Sequence, residues 1–230
     1  MKDKIFNIVS LSINGLIFIL TMIAWFYMMF FDKSTTLSTN GLESLQFFTV
    51  LSNLLMGLVS LIVFIYQLIG LIKGKNYLNQ AIKTLLHAAT TSITITLLVV
   101  VFFLAIVAQM DGRGYFSFFI GANLFFHLII PLLAIINYLV FEYEPKIKYK
   151  YTLFSLLPMG LYAIFYVINY YTHLTSGLDG NYDWYGFIGD GSPIRLIVVV
   201  VLFIAGTIGL SSLIYLFNKL IGKKLYKENN

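Results

Sequence analysis

Cysteine is absent from this chain, which excludes disulfides, thiolate nucleophiles and cysteine-ligated zinc. Charge is scarce: Asp, Glu, Lys and Arg make up 11% of the residues, where a soluble domain carries about 25%. Water is therefore not the main solvent of the fold. Histidine occurs only as His87, His127 and His173, too dispersed for a metal site, so neither a metal nor another cofactor is expected. A basic groove and base-stacking motifs are lacking, so the formal charge of +5 does not point to nucleic acid. Internal repeats and low-complexity tracts are also missing.

What the chain has is apolar sequence in long runs. It is 59% hydrophobic with mean hydropathy +0.87. Crossing a bilayer core takes about 20 mostly apolar residues. Six segments qualify, at 5–31, 46–72, 85–109, 116–140, 151–172 and 194–218, and none carries an Asp, Glu, Lys or Arg at depth. This is what the cost of placing charge in lipid predicts. The expected fold class is an all-α membrane protein, a bundle of six transmembrane helices forming one domain over residues 1–230. The first run follows Met-Lys-Asp-Lys as a signal peptide would. It is too long for one and lacks a small-x-small cleavage site, so it is read as a retained helix.

The connections sort the charges. Twelve of the fifteen Lys and Arg residues fall in the N-terminus, the second and fourth connections and the C-terminus; the rest are Lys33, Arg113 and Arg195. The positive-inside rule then predicts a cell-membrane protein with both termini cytoplasmic, as an even number of spans requires. Asp32, Asp111, Asp179, Asp183 and Asp190 are expected outside. The Lys clusters are expected to touch membrane lipids.

Polar residues inside apolar helices carry the functional signal. In the second segment Thr49, Ser52 and Asn53 share one helical face, and in the fourth Asn123 and His127 do. Pro131 is expected to remove the hydrogen bond to the His127 carbonyl and kink the helix. A Thr hydroxyl becomes a nucleophile when a base such as His takes its proton, and Asn53 or Asn123 would orient the ring or hold an oxyanion. The same residue types also serve simply to bridge helices, bind a ligand or line a transport path. With helix starts near Leu45 and Ser117, Thr49 would lie ~6 Å and His127 ~15 Å along their helices. The hydroxyls from Thr90 to Thr96 are expected to bond back to their own helix. Arg113 and Arg195 would grip a substrate carboxylate or snorkel to lipid phosphates. The aromatic stretch Tyr182 to Phe187 would anchor at the interface or form a lid.

Three stretches, in order, resemble a known family: Phe48-Thr49-Val50-Leu51-Ser52-Asn53, His127-Leu128-Ile129-Ile130-Pro131, and Tyr185-Gly186-Phe187-Ile188 followed by Pro193 and Arg195. With the six-span layout they resemble the androgen-induced (AIG/FAR-type) six-helix membrane hydrolases, in a bacterial-type form. Here Tyr-Gly stands where that family tends to have Tyr-Pro. The resemblance implies a metal-independent threonine hydrolase of fatty acid esters of hydroxy fatty acids. Thr49 would be the nucleophile and His127 the base, with a fatty-acyl ester as substrate. Ser52, Asn53, Asn123, Arg113, Tyr185 and Arg195 would support them. The alternative is a lipid- or solute-binding protein or transporter without catalysis.

Overall fold

The computed structural model describes residues 2–31, 41–143, 147–176, 182–189 and 191–226. Ser34-Thr35-Thr36, Glu144-Pro145-Lys146, Asp32, Lys33, Gly177, Asp179, Gly180, Asp190 and Lys227 lie outside the described residues. Among those described there are six long helices and no strand: α1 (Lys2–Phe30), α2 (Phe48–Lys73), α3 (Gln80–Met110), α4 (Ala122–Phe141), α5 (Tyr149–His173) and α6 (Pro193–Tyr226). Each is long and apolar enough to cross a membrane. The chain is a multi-pass helical membrane protein.

Local chemistry sets the helix ends. α2 stops at Gly74, which adopts φ 64, the left-handed geometry that ends helices. α3 starts earlier than the apolar run, because the Asn79 side chain accepts the Ile82 N–H at 3.0 Å and caps it. α6 continues past the apolar run to Tyr226. Asn218 donates to the Tyr138 carbonyl at 2.7 Å and the Tyr226 hydroxyl to that of Phe141 at 3.0 Å, tying this extension to α4.

The start of α4 differs most from expectation. Residues Tyr115–Phe119 form a separate 3-10 turn, and Gly121 follows at φ 60, ψ −135. That backbone region is closed to residues with a Cβ, so the helix begins anew at Ala122. Thr49 then lies ~1.5 Å and His127 ~7.5 Å along their helices at 1.5 Å per residue. The difference in depth inferred from the apolar runs falls only from ~9 Å to ~6 Å.

α3 is the central helix, packed against α2, α4, α5 and α6. Half of its apolar window is buried within the bundle, against 17% for α6 at the periphery. α1 packs on α2 where Gly57 faces Thr21; a Cβ at Gly57 would come within 2.9 Å of that side chain. Such close backbone approach is how membrane helices gain packing energy when lipid offers no hydrophobic drive. The hydroxyls of Thr90, Thr91, Ser92 and Thr94 bond back to carbonyls four residues earlier, at 2.6–2.9 Å.

Candidate functional site around Thr49 and His127

The site begins with Pro131 and a change of helical register. Residues Phe125–Ile129 form a π-turn in which the Ile130 N–H reaches the Phe125 carbonyl, five residues back. In that register the next donor would come from residue 131, and proline has none. The orphaned carbonyl is thus that of Phe126, one residue before the His127 carbonyl expected from α-helical counting. Asn53 supplies the missing donor from α2: its Nδ2 lies 3.0 Å from the Phe126 oxygen and 2.8 Å from the Thr49 oxygen. One buried amide therefore ties the peptide before His127 to the backbone of Thr49. The Asn53 Oδ1 is buried without a hydrogen-bond partner.

His127 is 1% exposed. Its Nδ1 lies 2.6 Å from the Phe118 carbonyl oxygen. A carbonyl only accepts, so Nδ1 carries the proton and Nε2 presents a lone pair. Phe118 belongs to the 3-10 turn before Gly121, so the break that opens α4 also supplies the group that fixes the tautomer. The rings of Phe118 and Phe119 lie 5.9 and 6.4 Å from the imidazole. The geometry is that of a desolvated base.

Thr49 is buried in the first turn of α2. Phe47 offers that turn no side-chain cap. Tyr185 acts instead: its hydroxyl accepts the Phe48 N–H at 3.2 Å and reaches the Thr49 side chain. Burial pushes the Tyr185 hydroxyl up from its ordinary value, so it stays protonated. Asp183 organises the segment that holds Tyr185. It accepts the Tyr166 hydroxyl and the amides of Ile188, at 3.2 Å, and Gly189, at 2.6 Å. Burial alone would raise the Asp183 carboxyl, but these hydrogen bonds outweigh it and hold it below its ordinary value. Trp184 donates to the Tyr162 hydroxyl at 3.1 Å, and Tyr162 donates to the Gln46 carbonyl at 2.8 Å. The segment lies against the start of α2 and the Tyr162 to Tyr166 stretch of α5 as a clasp.

The structure thus gathers Thr49, Asn53, Tyr185 and the peptide leading into His127. Thr49 and His127 sit on adjacent elements, but no hydrogen bond joins them among the described residues. Ser52 turns the other way, to Thr96 on α3 at 2.7 Å. Asn123 is 6% exposed, one turn before His127. Arg113 pairs with Asp111 at 2.9 Å on the surface. Arg195 donates to the Gly186 carbonyl and lies over Gly189, where any Cβ would strike its guanidinium. It therefore secures the clasp. His87 bridges Tyr138 on α4 and Ser211 on α6, each at 2.8 Å, which makes it a core histidine. Among the described residues no three His, Asp or Glu side chains gather as a metal site.

Beside this site runs an apolar groove of about 860 Å³ between α2, α3 and α5, walled by Leu51, Leu55, Leu85, Phe154 and Leu161. Phe48, next to Thr49 in the chain, and Ser52, one turn further on, line it too. Reading by residue type missed the Phe118 carbonyl and the Tyr162, Tyr166 and Asp183 framework. Backbone acceptors carry no residue-type signal, and tyrosines within an apolar helix read as packing.

No family model, curated protein or solved structure matches this chain.

Proposed function

We propose that this protein is an intramembrane hydrolase of lipid esters, of the fatty acid ester of hydroxy fatty acid type, with Thr49 as nucleophile and His127 as base. The observation that carries the reading is the tautomer of His127. Its Nδ1 proton is committed to the Phe118 carbonyl, so Nε2 is the basic atom, in a buried position linked through Asn53 to Thr49.

In the proposed reaction an acyl chain lies in the groove between α2, α3 and α5, with its ester at the Phe48 end. The Thr49 Oγ1 attacks the ester carbonyl while His127 Nε2 takes the hydroxyl proton. The tetrahedral intermediate collapses, and His127 returns that proton to the departing alcohol. Water then attacks the acyl-threonine, losing a proton to His127; this second tetrahedral intermediate collapses as His127 returns the proton to the Thr49 Oγ1, and the fatty acid leaves. The protonated Tyr185 hydroxyl is placed to steady the Thr49 oxygen. The protein sits in the cell membrane with both termini in the cytoplasm, so this chemistry takes place toward the outer face.

A second reading has its own observation. The Thr49 side chain is engaged by Tyr185, with no hydrogen bond to His127 among the described residues, which favours a lipid-binding protein without turnover. Fluorophosphonate labelling of the purified protein in detergent separates the two. The hydrolase reading expects labelling of the wild type that is lost in Thr49→Ala and in His127→Ala, with helicity and melting retained. A well-folded wild type that takes no label leaves lipid binding as the function.

A further inference from the structure

At the Lys-rich end of the bundle lies a cavity of about 500 Å³ whose polar groups serve one another. Glu142, which lines it, accepts hydrogen bonds from Ser10, from Asn14 at 3.0 Å and from Gln67 at 2.6 Å. The ammonium groups of Lys73 and Lys75 lie over the Tyr77 ring, and Tyr143 packs on Tyr226. These contacts tie helices together. The groove between α2, α3 and α5 is built differently: its middle is apolar, and its polar groups stand at its two ends. Ser52 and Tyr162 lie at the clasp end, and Gln80, Thr84 and Tyr151 at the other. Between them run Leu55, Leu85, Ala88, Leu157 and Leu161.

The groove has a fixed scale along α3. The Ser52 hydroxyl lies 2.7 Å from that of Thr96, which sets the clasp end of the groove level with Thr96. Gln80, at the start of α3, marks the other end. The stretch between them is unbroken α-helix, ~24 Å long at 1.5 Å per residue. Both ends are closed. At the clasp, the Phe48 and Tyr162 rings meet with centroids 5.2 Å apart. At the far end the Gln80 amide donates to the Thr84 hydroxyl at 3.2 Å, and the Lys150 ammonium lies 5.4 Å from the centre of the Tyr151 ring. An extended hydrocarbon advances about 1.25 Å per carbon, so a chain that starts level with Ser52 and ends between Thr84 and Gln80 has about 15 to 20 carbons. Ala88 lies on the floor midway, 4% exposed, ~12 Å from the level of Thr96. Its small side chain keeps the far half of the groove open. The clasp end adjoins Thr49, whose carbonyl accepts the Ser52 hydroxyl at 3.1 Å, so the reacting end of a bound chain belongs there.

We propose that this groove measures acyl chains: it takes a single chain of about 15 to 20 carbons, ester end beside Ser52 and methyl end between Thr84 and Gln80, and Ala88 is the residue that sets the length. The inference rests on the groove being the seat of an acyl chain, as in the reaction proposed above, and adds the direction and length of that chain.

The test is photolabelling of the full-length protein in lipid nanodiscs, with labelled residues read by peptide mass spectrometry. The probes are the glycerol ethers of decanol and hexadecanol, each with a diazirine at the methyl end. An ether is not hydrolysed, so the labelling reports on the groove whether or not Thr49 is reactive, and the fluorophosphonate result stands apart from it. The hexadecyl probe is expected to label Gln80 to Leu85 and Tyr151 to Phe154. The decyl probe is expected to label the surroundings of Ala88, with Leu157 and Leu161. Methyl ends of bulk lipid lie near the midplane, ~15 Å from either edge of the bilayer core, so label at Gln80 marks a chain held in the groove. Ala88→Phe is expected to lose the hexadecyl label from Gln80 to Leu85 while the decyl probe still labels α5. Excess unlabelled hexadecyl ether should displace the groove label but not label at Ile23, which is 61% exposed on α1. Hexadecyl label on Phe48 to Ser52 would mean that the chain lies the other way round, and overturns the proposal. The same residues labelled by both probes, or groove label that is absent or not displaced, also overturns it. A hexadecyl pattern unchanged in Ala88→Phe removes Ala88 as the measure of length. Should that variant not fold, the two wild-type patterns decide direction and length by themselves.

Discussion

Asn53 shows how one side chain joins a backbone defect to a candidate catalytic centre. Pro131 and the π-turn leave the Phe126 carbonyl without a backbone donor, and the Asn53 amide reaches it from α2. Replacing Asn53 by Ala leaves a buried carbonyl unsatisfied, which costs about 1–3 kcal/mol. Thermal unfolding in detergent should show that loss. Pro131→Ala restores an N–H within reach of the same stretch of carbonyls. In that background Asn53→Ala should cost less than it does alone, and a double-mutant cycle measures the difference. Strict additivity of the two changes would mean that Asn53 does not compensate for the proline. Thr49, Asn53 and His127 were legible from the sequence because polar residues stand out in apolar helices. Glu142 was not legible: it follows an apolar run directly, and nothing local indicates that the chain turns its side chain inward toward Ser10, Asn14 and Gln67.

The element that repays study is the clasp from Tyr182 to Gly189. Its aromatic residues announce membrane contact in the sequence, yet its structural work is done by hydroxyl and carboxylate groups. Tyr185 caps α2 from a segment 137 residues away. Tyr185→Phe keeps the ring and removes the cap, so it should cost about 1 kcal/mol of stability, the usual worth of an N-cap. Asp183 sets a pH dependence with a definite sign. Its folded-state carboxyl is held below the ordinary value near 3.9. Its contribution is therefore fully present above that value and is lost as pH falls through the lowered one. Acid titration of Trp184 fluorescence, in a Trp25→Phe background, should show the clasp loosening in that range. Asp183→Asn should remove the transition, and an unchanged acid profile would show that Asp183 does not hold the clasp. Helix ends were less legible than helix interiors for a related reason. Apolar runs mark where a chain prefers lipid, but the cap at Asn79, the stop at Gly74 and the break at Gly121 decide where the helix begins or ends.

At the scale of the whole molecule, two polar centres occupy opposite ends of one bundle. The Thr49 centre lies beneath the clasp and beside a groove suited to an acyl chain; the Glu142 cavity lies at the lysine-rich end. The six-helix architecture follows from hydropathy alone, because each span must satisfy its backbone internally in lipid. How the helices pair does not, because lipid-facing and helix-facing apolar residues look alike in sequence, and α3 takes the centre through small and hydroxyl side chains. Which centre meets which side of the membrane depends on the lysine asymmetry. The proposed orientation places Arg113 outside and Lys75 inside. The absence of cysteine makes this directly measurable, since a single introduced thiol is the only one in the chain. Arg113→Cys, on the exposed turn after α3, should react with a membrane-impermeant maleimide in intact cells. Lys75→Cys, just past Gly74, should react only after permeabilisation. The reverse pattern would turn the molecule over. The Thr49 centre would then face the cytoplasm and the Glu142 cavity the exterior.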